Sequence, residues 1–426
     1  MPNLRDLAYG VIATLTSPVW GLSLLRTGKW RTDWKARFGS CEIPPAKPKQ
    51  KTLLIHAVSV GEISLIRGLV DDLTKRDPSL RIVIAATTNT GFKRGTELYG
   101  ERHPVVRYPL DFSSAVKRFL DRVEPDLVCT VELEVWPNFV EACHKRGIPV
   151  GVINGRLSAR SFKGYLRFKR LIGPSFEKLA FAAVQTTDYA ERFKAMGAPD
   201  VRVLDTMKWD AAVIADEVEG EAALARRLGV DLDKPIVVAG STGPGEDRLL
   251  VDALPEGVQL IIAPRKPEWF AAAAEASPGC VRWSLTEAEA EPTTSAMPKR
   301  WETGVKAVYL LDTIGQLAKA YSLADVVVVG RSFLGLYGSD VMEPAALGKP
   351  IIIGPHHGDF EDSVNAMRQA GGLVVTDEPA ALMRELLEDR DRAGQIADAG
   401  RAVVRSRQGA TLRHAALILD MLSHDA

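Results

Sequence analysis

Short apolar runs rich in branched residues recur along the chain, each followed by a stretch whose apolar positions fall at helical spacing. Thr52 to Val58, Arg81 to Ala86, Leu127 to Val131 and Val150 to Ile153 open the series, and Ala182 to Gln185 and Val201 to Leu204 extend it. Strands alternating with helices predict a parallel sheet covered on both faces. Met207 to Pro235 carries no strand signal and reads as a link. The alternation restarts at Ile236 to Ala239 and runs through Val258 to Ile262, Ala307 to Leu310, Val326 to Val329, Pro350 to Ile353 and Gly372 to Val375. This predicts an α/β chain of two doubly wound, Rossmann-like domains facing a central cleft, because such sheets bind ligands at the carboxyl ends of their strands. The expected bounds are a first domain over 34–206, a linker over 207–234, a second domain over 235–405 and a C-terminal helix over 406–426 that packs on one of them. Glu287 to Thr303 is polar and reads as a surface excursion.

Residues 1–33 follow another pattern. Leu7 to Leu25 carries no charge and approaches the roughly 20 residues that span a hydrocarbon core. Pro18 and several Ser, Thr and Gly residues weaken it as a spanning segment. Arg26, Lys29, Arg31, Lys35 and Arg37, interleaved with Trp30 and Trp34, follow as a basic and aromatic collar that would keep the next domain on the cytoplasmic side. The alternative is an N-terminal helix docked on its own domain. A cleaved signal peptide fits poorly, since no small-residue cleavage site follows and the collar lies on the wrong flank.

Composition narrows the partners. With 54 basic and 54 acidic residues the formal net charge is zero, so no global field holds the chain to nucleic acid or to an anionic surface. Any such attraction is local. Cys41, Cys129, Cys143 and Cys280 lack C-x-x-C spacing, which argues against a disulfide framework or zinc knuckle and suits a reducing compartment.

Candidate chemistry sits at the predicted strand ends. In "HAVSVGE", Ser59 and Glu62 have the spacing of a capping box that satisfies a helix start. That reading leaves unexplained His56 at the end of an apolar strand and Gly61 within a first helical turn, where glycine costs about 1 kcal/mol relative to alanine. A ligand approaching the backbone at Gly61 would explain it. In "VELEVWPNF", alternation sets Glu132 and Glu134 on one side of an extended segment, on the same rim as Glu62. Three acids on one rim suggest a site that handles hydroxyls. "GRLSARSFKGYLRFKR" has Arg156, Arg160, Lys163, Arg167, Lys169 and Arg170 with no acid, and Phe162, Tyr165 and Phe168 between them. It reads as a solvated helix face or as a patch for phosphates or anionic lipid. In the second half, "VVAGSTGPGE" sets Ser241 and Thr242 at a glycine-rich turn before a helix, a place for an anion, although it is neither a P-loop nor a dinucleotide fingerprint. Arg265 and Lys266 in "APRKPEWF" are expected to point into the cleft, and Glu343 opens a helix where it could take two ribose hydroxyls or complement the helix dipole. His356 and His357 beside Asp359 read as a loop, since adjacent residues seldom converge on one ion.

Together "HAVSVGE", "ELEVWPN", "INGRLSARS", "MKWD", "PRKPE", "LLDTIGQLAKAYSLADVVVVG", "MEPAALGKPIIIGP" and "RQGAT", in this order and spacing, resemble the 3-deoxy-D-manno-octulosonic acid (Kdo) transferases of the lipid A pathway, over nearly the whole chain. The resemblance implies a GT-B glycosyltransferase fold and transfer of Kdo from CMP-Kdo to a lipid A precursor at the cytoplasmic face of the inner membrane. It implies Glu62 as general base, Glu132 and Lys208 as groups stabilising the transition state, and donor contacts from Pro264, Arg265, Ile314, Gly315, Gln316, Asp340, Val341, Met342 and Glu343, which Ser241 and Thr242 of the glycine-rich turn are expected to join. His56, Ser59, Gly61, Glu134, Arg156 and Arg160 fall to the acceptor side, with inner-membrane lipids against the basic run. No metal, cofactor or nucleic acid is implied. The chain departs from the family pattern at Lys266, Arg331, Ser339 and Asp340, where His, Gly and a His-Asn pair are usual. A nucleotide-sugar epimerase of the same fold and a non-catalytic membrane adaptor are the rival readings.

Overall fold

Branched side chains at successive positions leave a strand no polar face, so such strands are stable only when covered on both sides. In the computed structural model, which describes residues 5–7, 9–11, 14, 32–286 and 306–423, the chain divides into two compact units, Met1–Ala211 with Gly409–Ala426, and Ala212–Gln408.

The first unit holds β1 (Thr52–Ala57), β2 (Arg81–Ala86), β3 (Val105–Arg107), β4 (Leu127–Val131), β5 (Val150–Gly155), β6 (Phe181–Val184) and β7 (Val201–Val203), ordered β3-β2-β1-β4-β5-β6-β7. Every neighbouring pair is parallel. β1 shows why: Leu54 packs into one core layer with Val83, Phe119 and Phe139, while Leu53 and Ile55 pack into the other with Ile63 and Ile418. Burying each such side chain contributes about 1.5–3 kcal/mol. The strand order reverses direction between β1 and β4, which opens a crevice beyond their carboxyl ends. β3, at the sheet edge and only three residues long, gave no periodicity signal in the sequence.

The C-terminal helix, Ala410–Ser423, belongs to this first unit. Asp210 of "MKWD" holds its start, accepting the Gly409 N–H (2.5 Å) and the Thr411 N–H (2.6 Å). His414 then accepts the Asn154 N–H at Nε2 (3.1 Å), while its Nδ1 donates to Ala410 O (2.8 Å).

The second unit holds β8 (Ile236–Thr242), β9 (Gln259–Pro264), β10 (Val281–Arg282), β11 (Ala307–Leu310), β12 (Val326–Val329), β13 (Ile351–Ile353) and β14 (Val374–Val375), ordered β10-β11-β9-β8-β12-β13-β14 and again parallel. Its switch point lies between β8 and β12. Gly240 near the end of β8 is a steric requirement, since a Cβ there would stand 2.0 Å from the Tyr321 hydroxyl. The stretch read as a link contains the helix Glu221–Leu228, which packs within this unit.

Most of Leu7 to Leu25 and of the basic collar, and all of Glu287 to Thr303, lie outside the described residues. The described part of the N-terminal stretch is helical and docked: the Tyr9 hydroxyl donates to Asp111 Oδ2 (3.0 Å), and Asp6 Oδ1 accepts the Ser113 N–H (2.9 Å). Among the described residues no helix is long and apolar enough to cross a membrane. Of the collar, Arg37 turns inward and donates to Tyr108 O and Thr87 O.

Candidate active site

The acid rim stands at the switch point of the first sheet. After β1, Ser59 caps the helix Val60–Leu65: its Oγ accepts the Glu62 N–H (3.3 Å) and donates back to Glu62 Oε1 (2.8 Å), while Glu62 Oε2 accepts the Val58 N–H (2.8 Å). The capping reading is therefore correct, yet it does not exhaust the group. Glu62 is half-buried, and a carboxylate has about four acceptor positions. Burial raises its pKa, the hydrogen bonds pull it back, and the nearby charge of Glu132 raises it further. Gly61 is exposed, and the nearest atom to a Cβ there would be Ser59 Oγ at 3.8 Å, so nothing in the fold itself demands glycine.

Glu132 follows β4 in the left-handed region (φ +62°), its N–H donating to Ile153 O (3.0 Å). A non-glycine residue held there stores strain, a feature that clusters at functional sites. Glu134, half-buried, accepts the Trp136 indole N–H (2.6 Å), and burial, then Glu62 and Glu132, raise its pKa. The three acids thus lie within electrostatic reach of one another: the charge of Glu132 makes Glu62 easier to protonate, and those of Glu62 and Glu132 do the same for Glu134. Raised carboxylate pKa values suit general base chemistry near neutral pH. Among the described residues no three His, Cys, Asp or Glu side chains form a group able to hold a metal ion.

His56 corrects an expectation. It is fully buried, shares a hydrogen bond with Thr87 Oγ1 through Nε2 (2.9 Å), and stacks on Tyr108 with ring centroids 3.5 Å apart. Burial, aided by Arg37, holds its pKa down at about 3, so the ring is neutral. It supports the rim from below and does not face an acceptor. Its Nδ1, the Tyr108 hydroxyl and Thr130 Oγ1 are buried without hydrogen-bond partners. Arg37 ends a short helix, and Thr87 and Tyr108 directly follow β2 and β3, so the three left no common signal in the sequence.

The basic run forms the helices Ala159–Arg167 and Lys169–Phe176. Phe162 and Tyr165 pack on the core, whereas Leu166, Phe168 and Leu171 are exposed at 42%, 61% and 57%, among exposed Arg160, Lys163, Arg167, Lys169 and Arg170. Arg156 is half-buried at the foot of the first helix. Lys208 is half-buried in the short helix Lys208–Ala211, inside the first unit, and its N–H donates to Thr206 Oγ1 (3.3 Å).

In the second unit, Ser241, Arg265, Ile314, Gly315, Gln316, Asp340 and Glu343 are half-buried or exposed: Ser241 near the end of β8, Glu343 in the short helix Met342–Ala346, and the others on loops that follow the strands. Burial, then the charge of Asp340, raises the Glu343 pKa. Four expected contacts are corrected. Thr242 is fully buried and donates to Asp247 Oδ1 (2.5 Å), and Pro264, Val341 and Met342 are also buried, so their side chains build the floor and do not meet a donor. The glycine-rich turn is corrected too: Glu246 Oε2 accepts the Gly243 N–H (2.8 Å), so the chain supplies its own anion there. His357 Nδ1 bonds to Gly354 O (3.0 Å), consistent with a loop role.

Two parallel seven-stranded sheets in separate units, each with a switch point, define an α/β protein of GT-B type. A glycosyltransferase from Rickettsia africae shares this fold with a TM-score of 0.57 at 14% identity, covering 89% of this chain and 100% of that one. So does the UDP-GlcNAc 2-epimerase from Neisseria meningitidis, at 0.55 and 14%, covering 88% and 100%. Residues 32–211 match the family described as 3-deoxy-D-manno-octulosonic-acid transferase (kdotransferase). The chain is 29% identical over 415 residues to the 3-deoxy-D-manno-octulosonic acid transferase of Bordetella pertussis, covering 93% of each, and 28% identical over 418 residues to that of Haemophilus influenzae, covering 94% of this chain and 93% of that one. The chain is a homologue of the Kdo transferases.

Proposed function

We propose that the protein is a glycosyltransferase that moves Kdo from CMP-Kdo to a hydroxyl of a lipid A precursor at the cytoplasmic face of the inner membrane. The observation that carries the reading is the acid rim at the first switch point, where Glu62 keeps free acceptor positions and a raised pKa. In this mechanism Glu62 takes the proton of the incoming hydroxyl as that oxygen forms its bond to the anomeric carbon and the bond to the CMP phosphate breaks. A base in reach gives roughly 10² to 10⁴ in rate. Glu132 and Lys208 are assigned to the transition state, and the loops after β8, β9, β11 and β12 to the nucleotide. The exposed Leu166, Phe168 and Leu171 among lysines and arginines support docking on anionic lipid. The likeness to an epimerase is one of fold; the similarity over the full length lies with the transferases.

The test is a transfer assay with CMP-Kdo and a tetra-acylated, bisphosphorylated disaccharide acceptor. Transfer by the wild type and loss of about 10² to 10⁴ in kcat for Glu62→Gln are expected; no transfer by the wild type, or an unimpaired variant, overturns the reading. With the acceptor in anionic vesicles, Phe168→Asp with Leu171→Asp should slow transfer while leaving the rate on detergent-dispersed acceptor unchanged. Equal rates in both settings would remove the lipid-docking part.

A further inference from the structure

Arg331 directly follows β12 and Gly330, at the switch point of the second sheet, and three observations single it out. Its backbone lies in the left-handed region, φ +59°, which arginine adopts only under constraint. The constraint is visible. Glu246, fully buried, spends its carboxylate on four backbone donors: Oε2 accepts the N–H groups of Arg331 (2.5 Å) and Gly243 (2.8 Å), and Oε1 those of Ser332 (2.8 Å) and Phe333 (2.8 Å). From the other side the Arg331 carbonyl accepts the Gly338 N–H (2.7 Å). Finally, the side chain folds over the glycine-rich turn, its Cγ 3.3 Å from where a Gly243 Cβ would stand, and its Nε is buried without a hydrogen-bond partner.

A guanidinium is charged at any working pH and presents five donors in a planar fork. Leaving one of those donors buried and unmatched is costly, and such groups call for an explanation. The carboxylate of Glu246, which touches the Arg331 backbone, is consumed by the four N–H groups it clamps. We propose that Arg331 is the anion-binding residue of the second unit, taking a phosphate or carboxylate of the ligand at the β8/β12 switch point, and that Glu246 is the positioning residue that aims it. This rests on the donor reading above, in which the ligand carries both groups, a nucleotide phosphate and a sugar carboxylate. Asp340, exposed and donated to by the Met342 N–H (2.8 Å), lies on the loop that Gly338 begins.

The decisive variant is Arg331→Gly, because glycine accepts the left-handed backbone and the fold should melt no lower than wild type. Titrate the full chain with CMP, cytidine and inorganic phosphate, and measure the KM for CMP-Kdo. If Arg331 holds the phosphate, the variant binds CMP about 10- to 100-fold more weakly and cytidine equally well. If it holds the sugar carboxylate, CMP binding stands and the CMP-Kdo KM rises by a similar factor with kcat little changed. Arg331→Lys should recover part of either loss. Unchanged CMP affinity together with unchanged KM overturns the assignment while leaving the donor reading intact. A wild type that ignores CMP but binds phosphate through Arg331 overturns the donor reading alone; one that binds neither overturns both. Glu246→Gln should weaken the same ligand in the wild-type background and add nothing to Arg331→Gly; additive losses would show that Glu246 does not act through Arg331.

Discussion

Glu62 carries two duties that pull in opposite directions. As half of a capping box it is held by Val58 N–H and Ser59 Oγ, which favour its ionised form; burial and Glu132 favour the protonated one and win. The folded state therefore binds this proton more tightly than the unfolded chain, whose glutamates titrate near 4.3. Stability tied to the group is present below that value and is lost as pH rises through the raised folded value. At pH 7 ionised Glu62 is thus a net cost that glutamine, which also serves in a capping box, would relieve. Glu62→Gln should melt at or a few degrees above wild type at pH 7, the difference closing toward pH 4, even as transfer is lost. A melting point well below wild type at pH 7 would mean that the carboxylate is kept for stability. The spacing in "HAVSVGE" and the alternation in "VELEV" made these acids legible in the sequence. His56 misled for a physical reason: in a strand buried on both faces, a polar residue near the end faces the interior unless the chain has already left the sheet.

At the scale of elements, several acids cap helices or turns other than their own. Asp111 accepts the N–H groups of Asn138 (3.0 Å) and Phe139 (2.8 Å), opening the helix Pro137–His144 whose own N-cap, Trp136, offers no side-chain acceptor. Its burial pushes its pKa up to about 6. Glu246 does the same for the turn after β12, and Asp210 for the C-terminal helix. Capping signatures are recognised in a sequence at fixed short offsets, whereas these partners stand far apart along the chain. Asp210→Ala leaves two helix-start donors unmatched and should cost the first unit about 0.5–2 kcal/mol. Denaturant midpoints of the full chain would show it as a shift of the first unit's transition only; a shift confined to the second unit's transition would contradict this assignment.

At the scale of the whole molecule, the two units have separate cores, with the second unit's cluster around β8, β9 and β12 sharing no residue with the two layers of the first. A fragment over 212–408 should fold cooperatively by itself and show a single melting transition. A fragment over 1–211 should not, because Leu417, Ile418 and Leu422 complete its core and His414 satisfies the buried Asn154 N–H; fusing 409–423 to it should restore folding. A fragment over 1–211 that folds alone would contradict this. By itself the sequence determined the α/β alternation, the restart of the pattern in a second unit, and the acids at strand ends, because strand burial and helical amphipathicity are written in neighbouring residues. Only the tertiary structure decided that the last helix returns to the first unit, that His56 and Thr242 lie beneath the surface, and that a buried glutamate clamps Arg331. Each of those depends on which distant backbone groups need a partner, and no local pattern encodes that.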